Sequence, residues 1–296
     1  MSARQKSKQR LFILSFLGPP LALYGLFVLI PTVNAFRYSF TRWDGLSDPV
    51  WVGLHNFKTL TSRGSDFGVA ILHNIFLTVV PGVFILSLAL LFANLIHQRV
   101  RGARLFRITF FFPNIISSVA VALLWTLIYS ATSVGMLNHL RAVLFHQSAP
   151  IPFTQSSRLL PALVPMIVWT ATGFYMVLFL AAMENIPETL YEAARLDGAT
   201  QTALFLHITI PLIWEVLTTG VIFLVIGGLK IFDIVWVMES GRPSTPTHTL
   251  STLMYQKVFE QYDIGAGTGI AVMLFLLVLA ITLISRKLML RESLEY

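Results

Sequence analysis

Six stretches of this chain are each long and apolar enough to cross a lipid bilayer as a helix. A hydrocarbon core of about 30 Å needs about 20 mainly apolar residues in helical form, and the segments near 11–36, 71–96, 107–130, 161–183, 212–238 and 266–286 meet that requirement. The composition agrees: 55% of the 296 residues are apolar and only 12% are charged, against about 25% in ordinary soluble domains. The fold class is therefore an all-α membrane protein with six transmembrane helices. The absence of cysteine excludes disulfides, thiolate metal sites and cysteine redox chemistry.

Orientation follows from Lys and Arg placement, because positive charge is retained on the cytoplasmic side. Arg4, Lys6, Lys8 and Arg10 precede the first span without an acidic residue among them. Alternation then puts Arg99, Arg101, Arg104 and Arg107 in a cytoplasmic loop, and Arg286, Lys287 and Arg291 at a cytoplasmic C-terminus. The predicted organisation is a basic tail over 1–10, a first transmembrane helix over 11–36 and an outer loop over 37–70 containing short interfacial helices. A transmembrane core over 71–286, which includes a cytoplasmic loop over 184–211, and a tail over 287–296 complete it. The first span starts like a signal peptide, but its long apolar run is interrupted by Pro19 and Pro20 and no small-x-small site follows before Phe36. The net charge of +7 lies at the ends of apolar runs and lacks the interleaved basic and aromatic pattern of a nucleic-acid face, so no nucleic acid is expected as a partner.

The 184–211 loop carries Glu188, Glu192, Arg195 and Asp197, each costing about 2.5–3.5 kcal/mol at mid-bilayer on insertion scales. It must therefore be exposed. Pro187 suits a helix start, Glu188 and Glu192 complement the positive N-terminal end, and Gly198 is a natural stop. The spacing predicts a helix over 187–197 with Tyr191, Ala194 and Gly198 on one side. After the glycine bend, Thr200 caps a second short helix to about Thr209, and Pro211 opens the next span.

Glu192-Ala193-Ala194, three residues, Gly198, nine residues, then Ile208-Thr209-Ile210-Pro211 resembles the signature loop of the membrane subunits of binding-protein-dependent ABC importers. Ile210 stands where that family usually has Leu. The resemblance runs from about residue 12 to residue 289. Trp51 to Phe57, Pro113 to Ser118 with Trp125, Gly135 to Asn138, and Leu229 to Asp233 followed by Gly241-Arg242-Pro243 look like the carbohydrate-uptake branch, although Arg242 replaces a usual glycine.

That resemblance implies a type I ABC importer permease fold in a bacterial-type inner membrane. It also implies a second related permease subunit, two ATPase subunits and an extracytoplasmic solute-binding protein as partners, with a sugar, oligosaccharide, polyol or glycerol phosphate as substrate. By motif match, Glu192, Ala193, Ala194 and Gly198, flanked by Arg195 and Asp197, are the ATPase-coupling residues. No cofactor is expected on this chain, and ATP and Mg would sit on the partner ATPase.

The residues themselves offer no catalytic constellation. Gly53-Leu54-His55-Asn56-Phe57-Lys58-Thr59 fails as a phosphate loop because Phe57 occupies the second glycine position. The histidines are dispersed without zinc-ligand spacing, and no Ser, His and acid set stands out. The chain is thus read as a non-enzyme. Polar residues inside the spans have two readings each, solute path or helix packing. The candidates are Asn114, Ser117, Ser118 and Trp125; Thr170, Thr172, Gly173 and Tyr175; and Gly227, Gly228, Lys230 and Asp233. Lys230 and Asp233, three apart, are expected on one helical face as an internal ion pair or as path-lining groups. The alternative function is an ion-driven secondary transporter using Asp233 or Glu215 as a relay.

Overall fold

A computed structural model describes residues 3–98, 102–132, 134–146 and 149–289. Arg99, Arg101 and Arg291 of the predicted cytoplasmic segments lie outside the described residues. In chain order the elements are α1 (Ala3–Tyr24), a π-helical turn (Gly25–Leu29), α2 (Ile30–Tyr38), β1 (Thr41–Arg42), β2 (Val50–Trp51), α3 (His55–Leu60), α4 (Asp66–His97), α5 (Ala103–Ile115), α6 (Ser118–Ile128), α7 (Met136–Phe145) and α8 (Ser156–Glu184). There follow α9 (Glu188–Leu196), α10 (Gln201–Leu204), a π turn (Phe205–Thr209), α11 (Ile210–Leu212), α12 (Trp214–Leu229), α13 (Asp233–Met238), α14 (Leu250–Tyr255), a π turn (Gln256–Glu260) and α15 (Ile264–Met289).

Among the described residues, five helical stretches are long and apolar enough to cross a membrane: Phe12–Tyr38, Asp66–His97, Ser156–Glu184, Trp214–Met238 and Ile264–Lys287. The sixth is α5 plus α6, bent by 99° at their junction. A continuous helix over 107–130 was expected, so this is a difference. The chain is extended at Ile116 and Ser117, with ψ of 140° and 135°. β-branched Ile115 and Ile116 weaken the helix there, and Ser117 takes the N-cap position that serine favours, although its hydroxyl makes no cap bond. Helix runs from Ala3 at the N-terminal side and continues to Met289 at the C-terminal side.

The described residues fall into two compact units, one within 3–65 and 254–273 and the other within 66–253 and 274–289. In the first, Thr41 pairs with Trp51 and Arg42 with Val50 in a short antiparallel ladder. Buried Asn56 of α3 donates to the carbonyls of Ser39 (2.9 Å) and Thr41 (2.8 Å), tying the helix to the hairpin. The Trp43 carbonyl accepts from the Ile264 amide at 2.9 Å. Gly265 lies so near that a Cβ there would stand 2.1 Å from the Thr41 carbonyl oxygen.

In the second unit α4 and α8 form the core. Ala70, Asn74, Leu77, Pro81, Ile85, Ala89, Ala93 and Ile96 of α4 are buried, a spacing of three or four that keeps one helical face inward. The opposite face, with Leu72, Val79, Val83 and Leu91, is apolar yet exposed, as lipid contact requires. From α8, Leu159, Leu163, Met166, Met176, Phe179, Leu180 and Met183 fill the interior.

Candidate functional site

The 184–211 loop folds as a helix, a glycine bend and a helix. Pro187 occupies the N-cap with Glu188 as the first helical residue, one position later than predicted. At the other end the Ala199 amide donates to the Ala194 carbonyl (2.9 Å) and the Gly198 amide to the Arg195 carbonyl (3.0 Å). With Gly198 at φ +83°, this is the Schellman arrangement that pairs otherwise orphaned carbonyls at a helix end. Thr200 then caps α10, its Oγ1 accepting from the Ala203 amide at 3.3 Å. The second helix runs on through Leu212, Pro211 lies inside its last turn, and the span restarts at Trp214.

Tyr191 anchors this loop. It is 5% exposed, its hydroxyl lies 3.0 Å from Thr209 Oγ1, and its ring meets His97 at 5.6 Å. Burial pushes its phenol above the ordinary tyrosine range, against the opposing hydrogen bond from Thr209. Ala194, one turn on, packs against the same core. Glu192, Ala193, Arg195, Asp197 and Gly198 remain exposed, and Arg195 pairs with Glu188 at 3.4 Å. Leu196, absent from the sequence-derived set, is 90% exposed at the tip of the helix. The helical stripe Leu190, Ala193 and Leu196 is therefore apolar and outward on an otherwise charged helix. Spacing of three could have revealed it. Behind the loop, Arg107 of α5 and Glu184 of α8 pair at 3.0 Å.

Two small cavities collect part of the intramembrane candidate set. One of about 200 Å³ brings together Asn114, Ser118 and Thr170 with Met166, Ile167 and Ile234. The other, about 140 Å³, is lined by Tyr175, Gly227 and Gly228 with Leu77, Thr78 and Ile167. Ile167 borders both. Trp125 stands edge-on to Tyr129 (5.1 Å) and beside Trp169 (6.1 Å), with its Nε1 buried and without a partner among the described residues. Ser117 is exposed at the α5/α6 corner.

Other candidates pack helices. Thr172 is buried and bonds back to the Val168 carbonyl at 2.6 Å. A Cβ on Gly173 would lie 1.9 Å from the Phe110 carbonyl oxygen, so the glycine lets α5 touch α8. Gly228 likewise admits Thr78, whose Oγ1 would be 2.2 Å from a Cβ.

Lys230 and Asp233 do not pair. Their shared helical face does not exist, because α12 ends at Leu229 and α13 begins at Asp233 after a non-helical Phe232 (φ −136°, ψ −65°). Lys230 is exposed, and Asp233 instead accepts from Ser118 Oγ at 2.9 Å.

That break is pinned by Asn74, which sequence reasoning missed. Wholly buried, it donates from Nδ2 to the carbonyls of Gly228 (2.8 Å) and Leu229 (3.1 Å) and accepts at Oδ1 from the Leu250 amide (2.8 Å). One amide thus pairs backbone groups at the end of α12 and the start of α14. An Asn within an apolar run was the available signal.

Comparison with known proteins matches the family described as "Binding-protein-dependent transport system inner membrane component" over residues 85–290. The diacetylchitobiose uptake system permease protein NgcF of Streptomyces coelicolor is 35% identical, covering 89% of this chain and 78% of that protein. A probable ABC transporter permease protein of Pyrococcus horikoshii is 33% identical over 92% of this chain and 93% of its own. The fold matches a chain in the crystal structure of a bacterial ABC transporter involved in alginate import, with a TM-score of 0.83, 23% identity and coverage of 96% and 97%. A multi-pass helical architecture, the exposed helix–glycine–helix loop and these matches together make this chain a member of the binding-protein-dependent transport system inner membrane component family.

Proposed function

We propose that this chain is one permease subunit of an ATP-driven, binding-protein-dependent importer of a sugar, oligosaccharide or related polyol or glycerol phosphate. The carrying observation is α9, anchored from behind by buried Tyr191 and presenting Glu192, Ala193, Leu196 and Gly198 outward. A nine-residue helix, about 14 Å long at 1.5 Å per residue, suits a groove on a partner protein. In this reading the partner is a separate ATPase, which binds ATP and Mg, and movement of its cleft is passed through Tyr191 and Thr209 to the spans. A second permease completes the path, and a solute-binding protein delivers the substrate on the side opposite the cytoplasmic termini. The saccharide class is supported by the diacetylchitobiose name of the Streptomyces relative and by the carbohydrate-branch motifs. The cavity at Asn114, Ser118 and Thr170, together with Trp125, offers the hydroxyl partners and aromatic face that sugars require.

The test is reconstitution of the chain with its partner subunits in liposomes, measuring binding-protein-stimulated ATP hydrolysis and uptake. Gly198→Trp should abolish stimulated hydrolysis and ATPase docking, and Asn114→Leu with Thr170→Val should slow uptake while basal hydrolysis persists. Uptake that survives ATP depletion under an ion gradient would instead establish secondary transport. Unchanged docking in Gly198→Trp would remove the coupling role.

A further inference from the structure

α7, between the third and fourth spans, is built the wrong way round for water. At 3.6 residues per turn, Met136, Leu140, Val143 and Leu144 share one arc of the helix, and they are between 50% and 62% exposed. The opposite arc, Leu137, Asn138, Arg141 and Ala142, is buried or half-buried. A surface helix of a soluble protein does the reverse, laying its apolar stripe on the core. Asn138 fixes the inversion. Buried, it donates from Nδ2 to the carbonyls of Ser130 (2.9 Å) and Ile151 (3.0 Å) and accepts at Oδ1 from the Ile151 amide (2.8 Å). The Arg141 guanidinium also donates within the loop, to the Ala149 carbonyl. Turning the apolar arc inward would break these bonds, so the arc needs an apolar neighbour outside the chain.

The same bonds set the height of α7. Ser130 follows directly on the end of α6, and Phe153, just beyond Ile151, meets the Tyr129 ring at 5.2 Å. The Tyr129 hydroxyl in turn donates to the Ala162 carbonyl of α8 at 2.7 Å. α7 is thus tied to the facing ends of two membrane-crossing segments, where hydrocarbon gives way to water. It touches α6, whose Leu123 and Leu127 are themselves more than half exposed.

We infer that α7 is an interfacial helix, lying in the bilayer surface with Met136, Leu140, Val143 and Leu144 among the acyl chains. Exposed Val134 and Phe145 extend the apolar patch past its two ends. His139 is the one exposed polar side chain between Met136 and Phe145. A protein partner would require about one hydrogen bond per 100–200 Å² of interface, which the four residues of the arc cannot supply; lipid tails require none. Helices of this kind sink their apolar face about 5–10 Å into the headgroup and acyl boundary, and here that would hold the outer ends of α6 and α8 level with the interface. Only the choice of the outer leaflet rests on the topology that places the termini in the cytoplasm.

Because the chain has no cysteine, single cysteines introduced into it can carry a nitroxide spin label at known positions. Met136→Cys, Leu140→Cys, Val143→Cys and Leu144→Cys are made in the full chain, purified with the subunits that accompany it and reconstituted in dioleoylphosphatidylcholine vesicles. The unsubstituted chain, treated alike, gives the background, and Asp48→Cys, at an exposed charged position, gives the reference for water. Electron paramagnetic resonance then compares collisions with oxygen, which concentrates in lipid, and with a water-soluble nickel chelate. An arc sunk to interfacial depth should raise the oxygen-to-nickel collision ratio at least about threefold over the Asp48→Cys value. Protection from both agents would put the arc against a protein such as a second permease, and a ratio equal to that of Asp48→Cys would put it in water. Either result would overturn the inference, as would failure of all four variants to assemble, since lipid-facing side chains tolerate cysteine. No uptake or ATP hydrolysis is measured, so a failure of the transport reading would leave this result standing.

Discussion

Replacing Asn74 with alanine removes three hydrogen bonds at once and exposes what holds the fifth span in two pieces. The side chain is wholly buried and bonds Gly228, Leu229 and Leu250 at 2.8, 3.1 and 2.8 Å. Side-chain hydrogen bonds within membrane proteins average about 0.6 kcal/mol and reach about 1.7, so three together predict a loss of about 2–5 kcal/mol. Lys230 is not a substitute, because it lies exposed beyond the end of α12. The assay is equilibrium unfolding in mixed detergent micelles followed by tryptophan fluorescence. Asn74→Asp sharpens the test, because it keeps an acceptor for the Leu250 amide but turns a carboxylate toward two carbonyl oxygens. It should be at least as destabilising as alanine at neutral pH and recover in part when acid protonates the carboxyl. A stability for Asn74→Ala within about 0.5 kcal/mol of the parent, the range of an ordinary surface change, would refute the pin.

Gly173→Ala should separate α5 from α8 and cost more than about 3 kcal/mol, an overpacking penalty at its upper end, since the new methyl would meet the Phe110 carbonyl backbone at 1.9 Å; thermal melting of the purified chain reads this. Leu196→Asp, at a 90% exposed position, should leave the melting temperature unchanged while weakening co-purification with the proposed ATPase partner. Tyr191→Phe should destabilise the loop by about 1 kcal/mol, because the buried 3.0 Å contact to Thr209 is lost, and faster local amide exchange at Thr209 would show it. In the segment between the first two spans, Asp44 is held down to about 2, first by the Ser47 amide, then by the Ser47 hydroxyl and the Leu46 amide. Its folded value is below the ordinary 3.8, so its contribution is complete above about pH 4 and is lost as the pH falls toward 2. Trp43, whose indole donates to the Ser47 carbonyl at 2.6 Å, should report that opening by fluorescence, and Asp44→Asn should abolish the transition.

Much of the loop was legible because its determinants are local. Gly198 adopts the left-handed conformation that only glycine enters without strain, Thr200 caps the following helix, and four charges keep the strip out of hydrocarbon. The sequence puts Tyr191, Ala194 and Gly198 on one side of α9 without deciding which way it faces; Tyr191 and Ala194 pack inward, while Gly198 stays exposed. Leu196 was overlooked because a leucine beside apolar spans looks unremarkable until its exposure is known. The intramembrane set separated less well. Asn114, Ser118 and Thr170 share a cavity, but Thr172 is buried and bonds back within α8 and Gly173 serves the α5–α8 contact, and small or hydroxylated residues look alike in both roles.

By itself, the sequence determined that this protein lives in a membrane, roughly where its chain crosses, and where a short charged helix must stand outside. Those outcomes depend on hydrophobic length, charge and capping, which act within a few residues. Tertiary structure decided where the spans break, which glycines admit a neighbour, and which polar groups meet. Asn74 lies 154 residues from Gly228 and 176 from Leu250, and Ser118 lies 115 from Asp233. No local pattern encodes such pairings. The Asn74 contacts exist because a buried backbone group in an apolar medium must find a partner wherever packing brings one, and here packing brought α4 to the break in the fifth span.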